Sequence, residues 1–90
     1  MEQKVAIVTG GGKGIGEAIV RQLVCDGFKV AIAELDMESA SKLEEELKDN
    51  TKAYKVNVAD HNGVFKLVED VVNDFGRLDV MINNAGLSKE

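Results

Sequence analysis

Thr9-Gly10-Gly11-Gly12-Lys13-Gly14-Ile15-Gly16 is the stretch of this sequence best suited to holding a ligand. It follows a short apolar run, Val5-Ala6-Ile7-Val8, and leads into Ile15, Ala18, Ile19, Leu23 and Val24, which recur at helical spacing. A glycine-rich turn between a strand and a helix can bring bare backbone N–H groups, backed by the helix dipole, up to a pyrophosphate. Gly10 is expected to make the tight turn, Gly14 the close approach and Gly16 the packing of helix on strand. Lys13, inside the loop, is either a solvated cation or a contact for a further phosphate.

Glu34 stands at the end of a second apolar run, residues 29–33, eighteen positions past Gly16. An acid at that spacing is expected to accept hydrogen bonds from the ribose hydroxyls of a dinucleotide, the plainer reading being a solvated strand-end carboxylate. Asp36 is better explained as a helix cap. Asn83-Asn84-Ala85-Gly86 closes a later apolar stretch, where it suits a ligand contact or a strand-end turn, the asparagines bracing neighbouring strands. The other reactive side chains promise less. Cys25 has no activating neighbour, His61 sits beside a helix cap, and no Cys/His grouping has metal-ligand spacing. No metal site is expected.

The elements that must position these residues follow from periodicity. Residues 5–8, 29–33, 53–58 and 79–83 read as strands, the first two apolar enough to be buried on both faces. Helices fill the intervals. One follows the glycines and stops at Asp26-Gly27; one is capped by Asp36, with Met37, Ala40, Leu43 and Leu47 on one face; one is capped by Asp60, with Val64, Leu67, Val68, Val71, Val72 and Phe75 on one face and Gly76 as its stop. Glu38/Lys42 and Lys42/Glu46 are expected to pair along the second helix. The β-α-β-α-β-α-β order implies an α/β fold of Rossmann type, an open parallel sheet with right-handed crossovers and strand order 3-2-1-4. Residues 1–90 are read as one partial dinucleotide-binding domain.

Composition narrows the function. With 44% hydrophobic and 30% charged residues the chain has the balance of a folded α/β protein. A net charge of -5 without a Lys/Arg cluster argues against nucleic acid or an anionic membrane as partner. The single cysteine and the absence of a signal-like leader or a membrane-length apolar run point to the cytoplasm.

The spacing Thr9-Gly10-x-x-x-Gly14-x-Gly16, paired with Asn83-Asn84-Ala85-Gly86, resembles the short-chain dehydrogenase/reductase family over essentially all 90 residues. Within it, Asp26 to Glu34 and Val64 to Gly86 look most like diacetyl/acetoin reductases, the butanediol dehydrogenases. The resemblance implies a nicotinamide dinucleotide, and the Glu34 carboxylate, which would repel a 2′-phosphate more than Lys13 offsets, favours NAD over NADP. Gly10, Lys13, Ile15 and Gly16 would face its pyrophosphate and ribose, Glu34 the adenosine ribose, Asn57 and Val58 the adenine, and Asn84, Ala85 and Gly86 its middle. Asn57 departs from the family pattern, which has Asp there to accept from the adenine amino group; adenine would be held less tightly. The family's catalytic Ser and Tyr-x-x-x-Lys find no match, because the only tyrosine, Tyr54, is followed four positions on by Val58. Catalytic residues are therefore expected beyond Glu90, in the rest of an oxidoreductase acting on a small diketone or hydroxy-ketone. The alternative is a non-catalytic nucleotide-binding or interaction module. An outer strand at residues 80–82 with no proline or lysine within it implies self-association.

Overall fold

The computed structural model describes residues 3–10, 12 and 14–84. Strands and helices alternate: β1 (Val5–Thr9), α1 (Gly14–Cys25), β2 (Lys29–Glu34), α2 (Met37–Leu47), β3 (Thr51–Lys55), α3 (His61–Phe75) and β4 (Val80–Ile82), with a 3-10 turn at Lys48–Asn50. One sheet runs β3-β2-β1-β4 with every neighbouring pair parallel, the order expected from the sequence.

The two central strands are apolar on both sides because helices cover both faces. Val5, Ile7, Ala31 and Ala33 meet Leu67 and Val71 of α3. Val8, Val30 and Ile32 meet Val20 of α1 and Ala40 and Leu43 of α2. Burying Ile7, Ile32 and Leu67 completely stabilises the fold by about 1.5–3 kcal/mol for each side chain.

Helix ends are fixed by the residues that predicted them. Asp36 accepts from the N–H groups of Glu38 and Ser39, and Asp60 from that of Asn62. After α1, the Gly27 N–H donates to the Val24 carbonyl at 3.0 Å and the Phe28 N–H to that of Leu23 at 2.9 Å. This paired closure turns the chain back and delivers Phe28 to the cluster that contains Leu23.

Several boundaries differ from the periodic reading. β3 ends at Lys55 because it pairs only with β2, whose last partner is Glu34, so Asn57 and Val58 lie in the following turn. Of the loop expected at residues 49–51, Asp49 and Asn50 belong to the 3-10 turn and Thr51 already opens β3. β4 begins at Val80 because the Asp79 side chain turns back to the neighbouring strand, where its Oδ2 accepts from the Val5 N–H at 2.9 Å. Arg77 grips the same carboxylate through Nε and Nη2, and these partners hold Asp79 below the usual carboxylate range. Glu46, expected to pair with Lys42, is taken by the planar fork of Arg21 at 2.6 and 2.9 Å, while Arg21 Nε reaches Glu17 at 2.9 Å. A bidentate guanidinium outcompetes a flexible ammonium.

Thr51 opens β3 with its hydroxyl buried and without a hydrogen-bond partner among the described residues. Valine preserves the branched shape and removes the stranded group. Thr51→Val is expected to stabilise the fold by about 1 kcal/mol, raising Tm by about 4–8 °C for a domain of this size. A melting curve followed by circular dichroism checks this; a lower Tm would mean the hydroxyl is satisfied.

Candidate functional site

At the carboxyl end of β1 the chain passes into the glycine loop without leaving the sheet. The Gly10 N–H donates to the Ala33 carbonyl at 2.7 Å, continuing the β1–β2 ladder. The Gly10 carbonyl then accepts from Asn84 Nδ2 at 3.2 Å, and Asn84 is only 8% exposed. Thr9 Oγ1 donates to the Ile82 carbonyl at 3.3 Å, so β1 and β4 are tied together just before they open. Gly16 packs on the same Gly10 carbonyl, where a Cβ would collide with the carbonyl oxygen and lie 2.7 Å from Asn84 Nδ2. Three residues singled out by the sequence thus converge on one backbone group. Asn84 braces the strands there.

Gly14 starts α1 with φ of +62°, a conformation that side chains rarely adopt, and a Cβ placed there would meet nothing within 4 Å. The space a side chain would take there is therefore open, at the positive end of the helix dipole, which suits an anion. Ile15 follows, 73% exposed. Lys13, Ala85 and Gly86, also assigned to this site from the sequence, lie outside the described residues.

Glu34 ends β2 beside the loop. Its Oε1 accepts from the Gly12 N–H at 3.0 Å and its Oε2 from the Asp36 N–H at 3.3 Å. A carboxylate has about four acceptor positions, so room remains for ligand hydroxyls. Glu34, Gly10, Asn57 and Val58 line one hollow of about 120 Å³, completed by Ala33, Leu35 and Val56. The sequence reading brought four of these together from three separate strand ends. It missed Gly12, Ala33, Leu35 and Val56. The apolar residues beside Glu34 carried a signal, since a flat base needs apolar walls, whereas the contact of Gly12 with Glu34 appears only in three dimensions.

Asn57 behaves differently from a free adenine partner. Its Oδ1 accepts from the Ala59 N–H at 3.0 Å and its carbonyl from the Asp60 N–H at 2.9 Å, so it shapes the turn leading to α3. Val58 is partly exposed beside it.

Two of the larger hollows lie elsewhere. One of about 420 Å³ runs between β3 and α3, and one of about 350 Å³ opens at the amino ends of the strands near Gln3 and Arg77. Neither gathers the glycine loop and the strand-end acid, and ligands of open parallel sheets bind outside the carboxyl ends. Among the described residues no group of His, Cys, Asp and Glu could hold a metal ion, and no helix is long and apolar enough to cross a membrane.

Comparison with known proteins agrees with this geometry. A family model described as short chain dehydrogenase matches residues 4–90. An uncharacterized oxidoreductase of Thermotoga maritima is 43% identical over 90 residues, covering 97% of this chain and 35% of the relative. The meso-2,3-butanediol dehydrogenase of Serratia marcescens is 37% identical, covering 96% of this chain and 35% of that protein. Among solved structures, a 3-ketoacyl-(acyl-carrier-protein) reductase of Brucella melitensis complexed with NADH superposes with a TM-score of 0.84 at 31% identity, over 89% of this chain and 33% of that one. The chain therefore spans about a third of the length of such relatives.

Proposed function

Because the chain belongs to the short chain dehydrogenase family, we propose that residues 1–90 act as one partial Rossmann-type domain that binds the nicotinamide dinucleotide of an oxidoreductase. The observation that carries this reading is the meeting of a glycine turn, a helix amino end and the Glu34 carboxylate at the carboxyl ends of β1 and β2. Gly10, Lys13, Ile15 and Gly16 serve the pyrophosphate and ribose, Glu34 the adenosine ribose, Asn57 and Val58 the adenine, and Asn84, Ala85 and Gly86 the middle of the cofactor. The bound nicotinamide would supply or accept a hydride. The residues of this chain hold it, orient it and select it.

The selection proposed is NAD over NADP. The Glu34 carboxylate accepts from a ribose diol and repels a 2′-phosphate, an interaction that weak screening in a partly buried site preserves. Calorimetric titration with NADH and NADPH is expected to show tighter NADH binding, and Glu34→Ala to reduce that preference by about tenfold. Tighter binding of NADPH by the unaltered chain overturns the assignment.

For the substrate of the whole enzyme we propose a small diketone or hydroxy-ketone, supported by the likeness to the Serratia butanediol dehydrogenase. The likeness to the Brucella 3-ketoacyl reductase, at 31% identity, makes a 3-oxoacyl thioester the competing substrate. The lone cysteine favours a reducing cytoplasm.

A second reading, an interaction module without catalysis, is favoured by the edge of the sheet. Among the described residues β4 has a strand, β1, on one side only, its Val80 is exposed, and Phe65 and Val72, about two turns apart on α3, are 70% and 41% exposed. We propose that a second copy of the chain covers this edge. Light scattering after size exclusion at micromolar concentration is expected to give a dimer or larger; a stable monomer refutes it.

A further inference from the structure

Glu34 is held by an amide that belongs to a residue without a side chain, and both facts matter. Gly12 donates to Glu34 Oε1 at 3.0 Å. A Cβ on Gly12 would lie 3.0 Å from that same oxygen, 3.1 Å from Glu34 Cγ and 3.1 Å from Ser39 Cβ. Ser39 cannot easily retreat. It occupies the first turn of α2, where its N–H and Oγ both donate to Asp36, at 3.4 and 3.0 Å. Glu34 is the movable partner in this group, being the end of a flexible side chain. Crowding at residue 12 would therefore be relieved by swinging the carboxylate off the Gly12 amide.

We infer that Gly12 is a positioning residue for cofactor selection, setting the place of the Glu34 carboxylate by offering it an N–H and no Cβ. The inference rests on the proposed reading of Glu34 as the ribose partner. With Oε1 on Gly12 and Oε2 on the Asp36 amide, the carboxylate has one orientation at the mouth of the hollow it shares with Gly10 and Asn57. A fixed orientation favours a rigid diol, because the acceptor need not be ordered when the ligand arrives. It also fixes the negative charge that a 2′-phosphate would meet. Gly12 touches neither ribose nor phosphate in this scheme; it acts through Glu34.

The test is a cycle of variants titrated with NADH and NADPH by calorimetry, each first shown to be folded by its melting curve. In the unaltered chain NADH binds more tightly. Gly12→Ala is expected to reduce the NADH:NADPH preference by about tenfold, while in a Glu34→Ala background the same substitution changes the ratio less than about twofold. Glu34→Asp gives a second route that leaves the loop untouched. It keeps the charge but, one methylene shorter, falls short of the Gly12 amide, and it is expected to reduce the preference similarly. A Gly12→Ala ratio equal to that of the unaltered chain, or an equal change with and without Glu34, overturns the inference while leaving the cofactor assignment standing. Failure of the unaltered chain to bind either nucleotide overturns the cofactor reading and this inference with it.

Discussion

Gly16→Ala is expected to destabilise the fold by about 3–5 kcal/mol and to abolish dinucleotide binding. The new methyl group would collide with the Gly10 carbonyl oxygen and stand 2.8 Å from its carbon and 2.7 Å from Asn84 Nδ2. None of these atoms is a free side-chain end. Gly10 is tied to Ala33 by its N–H and to Asn84 by its carbonyl, so the loop cannot yield without breaking the ends of β1, β2 and β4 apart. The alternative is for α1 to lift off the sheet, which would withdraw the fully buried Val20 from Val8, Val30 and Ile32. A domain of this length has about 5–13 kcal/mol of stability in total, so either relaxation removes a large share. Gly14→Ala is the control. It meets nothing within 4 Å and bears only the strain of φ +62°, about 1–2 kcal/mol. Urea denaturation of both variants measures the contrast; equal losses would mean that the packing on Gly10 is not the constraint.

Gly16 was legible in the sequence as a packing glycine because its place in the motif dictates the approach of helix to strand. The strand order was legible for a similar reason, since right-handed parallel crossovers leave few ways to arrange β-α-β-α-β-α-β. The caps at Asp36 and Asp60 followed from local chemistry alone, and the structure has both. What local patterns could not supply was the length of the outer strands. A strand continues only while its neighbour offers partners, so β3 stops opposite Glu34 although its apolar alternation runs on to Val58. Asp79 shows the same limit from the other end. Its sequence position marks a strand start, but its distant partner, the Val5 amide 74 positions away, turns it into a clamp across β1 and β4, with the nearby Arg77 guanidinium holding the carboxylate in place. Within the site, residues at strand ends were found individually. The Gly12–Glu34 contact was not, because its members are 22 positions apart and glycine carries no side chain from which a partner could be read.

The second large effect expected is the absence of turnover. Carbonyl reduction needs a group that delivers a proton as the hydride is transferred, and a tyrosine can do so when a neighbouring cation brings its pKa down toward the working pH. Tyr54 is arranged the opposite way. Burial and the hydrogen bond to Asp74 push its phenol up, with Oη donating to Asp74 Oδ2 at 2.6 Å. Lys52 Nζ binds that same carboxylate oxygen at 3.1 Å and lies 5.5 Å from the centre of the ring, so its charge is spent on Asp74. Ser39 is committed to the cap of α2 through its bond to Asp36. The 90-residue chain, incubated with NADH and either diacetyl or acetoin, is therefore expected to change the NADH absorbance no faster than the blank, and Tyr54→Phe to leave that result as it is. A saturable rate that depends on the protein and disappears in Tyr54→Phe would place a proton donor within these residues and overturn the assignment of a purely cofactor-holding role.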